Sequence, residues 1–193
     1  QLAQAHPDIV VHIDTQTRPF LFADTTFDAA LYAGTPEQVA HWPGVQAQLL
    51  MHEDVVPVCS PRLLESAAPR GRGRAHQPVA AEALAELPLL QQSTRPYGWR
   101  QWFDAMGVDA PHALDGPRYE LFSMLAVAAT HGMGVALMPP LLIEAELASG
   151  ELVVACNRPL RGERAYYLVS PAQAQSPVLR AFAQWLAEMA GSE

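Results

Sequence analysis

Short apolar runs recur along the whole chain, and the segments between them repeat their apolar residues with the period of a helix. Ile9–Ile13, Ala29–Ala33, Leu89–Leu90, Tyr119–Phe122, Val135–Met138, Leu152–Ala155 and Ala165–Val169 read as strands, most of them punctuated by glycine or proline. Leu49–Leu50 and Val55–Val58 surround the acidic pair Glu53–Asp54 and read as one bent or bulged strand ended by Pro61, while Thr35–Gly44 reads as a loop. Tyr97–Met106 carries Trp99, Trp102, Phe103 and Met106 at i, i+3, i+4 and i+7, which predicts an amphipathic helix ended by Gly107. Gln1–His6, Val79–Leu87 and Leu141–Ala148 are further helix candidates. Ser123 can cap a helix through His131, and Ser176 followed by Pro177 opens a last helix to about Met189. Strands alternating with helices predict an α/β fold, mostly parallel, with helices on both faces of the sheet.

Two stretches look like boundaries: the Pro/Arg/Gly segment within 61–77 and Asn157–Glu163. If both mark crossings, residues 61–159 form one lobe and residues 1–60 plus 160–193 form the other. A small ligand is then expected in the cleft between them.

Charge narrows the function classes. The net charge is −8, and every basic side chain is arginine. Binding to nucleic acid draws most of its affinity from neutralised phosphates, so this stretch is a poor DNA reader by itself. No long apolar run predicts a membrane span. Cys59 and Cys156 form neither a disulfide framework nor a zinc pattern, and reduced, buried thiols are expected. The histidines show no metal-ligand spacing, no nucleophile elbow is present, and no carboxylate pair sits in an acid/base context. No enzyme, metal or cofactor is expected.

A set of motifs in order resembles the effector-binding domain of LysR-type transcription regulators, in the subgroup of the glycine-cleavage activator and the β-lactamase regulator. They are Phe27-Asp28-Ala29-Ala30-Leu31 with Gly34; Trp42-Pro43-Gly44-Val45; Val56-Pro57-Val58-Cys59-Ser60-Pro61; Leu87-Pro88-Leu89-Leu90 with Trp99 and Trp102; Gly132-Met133-Gly134-Val135-Ala136-Leu137-Met138-Pro139; and Tyr166-Tyr167-Leu168-Val169 with Phe182 and Trp185. The resemblance implies two Rossmann-like lobes joined by two crossover strands, a fold similar to type II periplasmic binding proteins. It implies a cytoplasmic homodimer or homotetramer that senses a small-molecule effector and touches DNA only through a winged helix-turn-helix lying before this chain. It also implies that the family domain begins with a strand ahead of Gln1, and that Ile9–Ile13 and the helix Met124–His131 serve the dimer surface. Tyr32 stands where the subgroup often has arginine, so a ligand needing that arginine is not expected.

Eight residues are the ligand-binding candidates: Tyr32, Gly34, Gln92, Ser93, Thr94, Phe122, Ser123 and Met138. Gln92-Ser93-Thr94 follows a strand and precedes a helix, where hydroxyls and backbone N–H groups suit an anion; an ordinary helix cap is the plainer account. Phe122 and Ser123 open the next helix, with core packing and capping as the alternatives. Tyr32 and Gly34 end a strand, and ligands of open α/β sheets sit beyond strand carboxyl ends. Trp99 and Trp102 fit a core stripe better than a cleft lining. A solute-binding protein of a transport system shares the expected fold and is the alternative function.

Overall fold

The computed structural model describes residues 2–16, 20–67, 78–174 and 176–191. The Arg70–Arg74 run lies outside them. In chain order the elements are α1 (Leu2–Ala5), β1 (Ala30–Gly34), α2 (Pro36–Ala40), β2 (Val45–Cys59), α3 (Pro61–Ala67), α4 (Ala81–Leu84), β3 (Leu89–Gln92), α5 (Gly98–Met106), β4 (Arg118–Tyr119), α6 (Phe122–Thr130), β5 (Val135–Met138), α7 (Glu144–Ser149), β6 (Val153–Val154), β7 (Leu160–Pro171) and α8 (Pro177–Ala190). They form two compact units, residues 1–53 with 162–193, and residues 54–161. Strands β2 and β7 each begin in one unit and end in the other.

In the second unit β3 lies between β4 and β5, parallel to both, while β2 runs antiparallel to β5 and to β6. The sheet is therefore mixed rather than mostly parallel. β2 pairs with β6 only at Val58 and Cys59. Proline at position 57 has no N–H to continue that ladder, although its carbonyl accepts from Ala155 N at 2.8 Å.

Successive residues of a strand point to opposite faces, and the burial follows that rule. Leu89, Val135, Leu137 and Cys59 join Trp99, Trp102 and Phe103 of α5 in one core cluster. Leu90, Ala136, Met138, Val56 and Val58 join Leu125, Ala126, Ala128 and Ala129 of α6 in another. Both faces are thus covered, which explains why β3 and β5 read as continuous apolar runs. In the first unit β1 pairs antiparallel with β7, Ala30 opposite Val169 and Gly34 opposite Ala165. Its core gathers Ala165, Tyr167 and Val169 with Tyr32, Val39 and Trp42.

Five further sequence expectations need correction. Ile9–Ile13 is not a strand: it makes no ladder among the described residues, and Val10 and Ile13 are 76% and 88% exposed. A β-branched run becomes a strand only against another edge. Thr35–Gly44 is not all loop, because Thr35 Oγ1 accepts from Gln38 N and Gln38 Oε1 accepts from Thr35 N, a capping box with Pro36 at the first helical position. The helix expected over Val79–Leu87 shortens to α4, and the one expected over Leu141–Ala148 is a 3₁₀ turn at Pro140–Ile143 followed by α7. Finally, Ser123 is not the cap of α6, which opens one residue earlier, with Leu121 in the capping position and no side-chain hydrogen bond there.

Candidate functional site

The carboxyl ends of parallel strands β3, β4 and β5 position the candidate residues of the second unit. β3 ends at Gln92, whose buried amide ties two loops together. Its Oε1 accepts from Thr94 N at 3.0 Å, and its Nε2 donates to the Glu120 carbonyl at 3.2 Å. Ser93 N donates to the Tyr119 carbonyl at 2.9 Å, extending the β3–β4 contact past the strands. The segment from Ser93 to the start of α5 is thereby fixed beside the segment from Glu120 to the start of α6. Ser93, Thr94 and Ser123 are exposed and Phe122 is half-buried.

The start of α6 carries the electrostatic argument. Its first-turn N–H groups receive no side-chain cap, and the nine-residue helix points its positive dipole end outward there. Beside it, the Arg95 guanidinium carbon lies 5.2 Å from the centre of the Phe122 ring, and Arg95 Nη1 donates to Thr94 Oγ1. Hydroxyls, a helix start and a cation face one region of a chain whose net charge is −8. Sequence reasoning missed Arg95, which is one residue beyond the hydroxyl pair it singled out.

Five of the eight candidates therefore gather in one place: Gln92, Ser93, Thr94, Phe122 and Ser123. Met138 also ends a strand of this unit, but its side chain is fully buried among Val56, Leu125 and Ile143. Tyr32 and Gly34 belong to the first unit. The Tyr32 ring meets Trp42 edge-on at 5.2 Å, and its hydroxyl donates to Gln38 Oε1 at 3.3 Å. The same ring covers Gly34: a Cβ there would lie 2.1 Å from Tyr32 Cε1, so the pair is interlocked. An open recess of about 500 Å3 in this unit, lined by Asp14, Phe20 and Phe27 among others, contains none of the sequence candidates.

Trp99 and Trp102 are core, as their spacing indicated. Trp99 Nε1 donates to the Leu90 carbonyl at 3.0 Å and Trp102 Nε1 to the Arg158 carbonyl at 2.9 Å, so each buried indole satisfies its polar atom. Cys59 and Cys156 are free and buried, and burial pushes the Cys59 thiol up to about 12 from its ordinary 9.0. The folded state thus holds the Cys59 proton while the unfolded chain releases it above pH 9. The stability this thiol contributes is complete below that pH and falls from pH 9 towards 12. Unfolding free energies of the parent and of Cys59→Ala, followed over that range by denaturant titration, are expected to converge by up to roughly 1.4 kcal/mol per pH unit. Parallel curves would show that the thiolate meets no such barrier.

The chain belongs to the LysR substrate binding domain family, whose description matches residues 1–191. It is 31% identical over 190 residues to the glycine cleavage system transcriptional activator of Escherichia coli (strain K12), an alignment covering 98% of this chain and 58% of that protein. It is 32% identical over 189 residues to the HTH-type transcriptional regulator TrpI of Pseudomonas aeruginosa, covering 97% of this chain and 60% of that one. Among solved structures it resembles the AmpR effector binding domain from Citrobacter freundii, with a TM-score of 0.81 at 22% identity, covering 100% of this chain and 88% of that chain. The AmpR effector domain of Pseudomonas aeruginosa gives 0.80 at 25% identity, with coverages of 98% and 85%. The expected α/β fold of the LysR effector domain holds, and so does the reading as a regulator's effector-binding domain rather than a transport protein. The curated relatives are named as transcription regulators, not enzymes. The chain spans about 60% of the length of these two relatives. Among the described residues no helix is long and apolar enough to cross a membrane.

Proposed function

We propose that this chain senses a small anionic effector for a cytoplasmic LysR-type regulator and passes the signal to a DNA-binding region outside the chain. The carrying observation is the uncapped start of α6 beside Ser93 and Thr94, held in register by the buried Gln92 amide. Donors with no internal partner at a helix start, next to hydroxyls, suit a carboxylate. In this reading the two compact units are the two lobes, with Tyr32 and Gly34 as candidate contacts of the first, while Met138 serves as core beneath the second. The effector shifts the equilibrium between lobe arrangements only by its differential affinity for them. The copies pair through the outer face of α6, where Met124 and Val127 are more than half exposed. Large apolar side chains at i and i+3 on one exposed face support a partner there. That pairing gives a homodimer, or a homotetramer built from two of them.

The test is thermal unfolding against a panel of small carboxylates and peptides. An effector at about 100 times its Kd adds about 2.7 kcal/mol, which for a domain of this size raises Tm by about 5–11 °C. The shift is expected to saturate and to be lost in Ser93→Ala and Thr94→Ala. A cooperatively folding sample that shifts with no compound would contradict the sensor reading.

A further inference from the structure

Resting on that reading, we infer that Arg95 is the specificity-determining residue that selects a carboxylate-bearing effector, with Phe122 as the platform that aims it. Its backbone is pinned on both sides, since Arg95 N donates to the Gln92 carbonyl at 2.9 Å and its own carbonyl accepts from Gly98 N at 3.0 Å. Its side chain is pinned twice more, by the hydrogen bond to Thr94 Oγ1 and by the Phe122 ring 5.2 Å away. Arg95 is half-buried, and a long side chain ordinarily loses considerable rotamer freedom when it is ordered, a loss already met here before any ligand binds. A guanidinium carries five N–H donors in a planar fork that matches a carboxylate, and the aromatic ring beside it attracts the same cation.

Phe122 is also the first residue of α6. The ring that holds the cation therefore stands at the helix start whose N–H groups lack a side-chain cap. One carboxylate can meet the guanidinium edge and the α6 amides together, while the hydroxyls of Ser93 and Ser123 lie on the exposed side of the same two loops. Uncharged isosteres of such a ligand gain neither the ion pair nor the dipole interaction, so selection is by charge rather than by shape.

The experiment titrates acetate, benzoate and succinate, and separately acetamide, benzamide and succinamide, into the isotope-labelled chain. Nuclear magnetic resonance follows the Arg95 Nε–H signal and the amides of Ser93, Ser123 and Met124. At least one carboxylate is expected to move all of these saturably, and its amide to leave them in place. Arg95→Gln is expected to weaken that carboxylate by about tenfold or more, and Arg95→Lys, which keeps the charge but not the fork, by less. Unfolding midpoints of both variants should stay at the parent value, and the lysine variant carries the test if the glutamine variant does not fold. Carboxylate binding with the Ser93 and Ser123 shifts intact, but within about twofold in Arg95→Gln, overturns the role of Arg95 and leaves the sensor standing. Equal binding of acid and amide overturns charge selection alone. No saturable binding by any of the six overturns both this inference and the anionic-effector reading beneath it.

Discussion

Trp102→Ala is expected to lower the unfolding free energy by about 3–5 kcal/mol. The indole is fully buried, edge-on to Trp99 at 5.8 Å and to Phe103 at 5.1 Å. Its removal deletes a large apolar surface and leaves a cavity that its close-packed neighbours cannot close without breaking their own contacts. It also leaves the Arg158 carbonyl without the Nε1 donor that ties α5 to the chain just before β7. Trp102→Phe keeps most of the packing and loses the hydrogen bond, and should cost about 1–2 kcal/mol. Urea midpoints with an unchanged m-value would read both numbers directly. An alanine variant within about 1 kcal/mol of the parent would mean that this aromatic cluster is not what holds the second unit together.

Gly116→Ala should be nearly as damaging, by about 3 kcal/mol, for a reason that no composition count reveals. Gly116 has φ +109, a region L side chains rarely adopt, and a Cβ there would lie 2.2 Å from the Leu89 carbonyl oxygen. That atom is backbone within β3, so relief requires β4 to draw away from its neighbour. The β3–β4 register sets where Gln92 and Ser93 stand, and hence the loop beside α6. The variant is therefore expected to lose its thermal response to carboxylates even at temperatures where it stays folded. Gly107→Ala is the control: φ is +71 and nothing lies within 4 Å of the added carbon, so only backbone strain of about 1 kcal/mol is expected. Equal losses in the two variants would show that the close approach at Leu89 is unimportant.

Much of this architecture is legible in the sequence where an element carries its own signal. The stripe of Trp99, Trp102, Phe103 and Met106 with Gly107 behind it specifies α5 and its buried face, and Gly107 does close the helix in the left-handed conformation. Val135–Met138 is a strand to the residue, since four consecutive apolar side chains suit a sheet covered on both faces. The failures occur where a partner decides. Ile9–Ile13 has strand chemistry and no edge to pair with among the described residues. The direction of β2 depends on the return path of the chain, which no local pattern encodes. Thr35-Pro36-Glu37-Gln38 carries the signature of a helix start, but Trp42, Pro43 and Gly44 behind it make the whole segment read as a loop. At the site, the hydroxyl pair and the two helix starts could be found by spacing. The bridging amide of Gln92 and the ring beneath Arg95 could not, because each joins segments whose proximity exists only after β3 and β4 pair.

The passage of β2 and β7 through both units has a consequence for the order of events during folding. Residues 54–161 form one unbroken stretch, whereas the other unit must unite residues 1–53 with residues 162–193. The inserted unit can close its contacts as soon as its own chain is available. Strand β1 instead waits for residues 165–169, its partners in the ladder. Closing so long a loop is slow from the open chain, and a folded insert shortens it by bringing the ends of β2 and β7 near each other. On a ribosome the early apolar segments of the first unit therefore stay unpaired until residues 165–169 have emerged. That interval, rather than the finished structure, is when this protein is most exposed to aggregation.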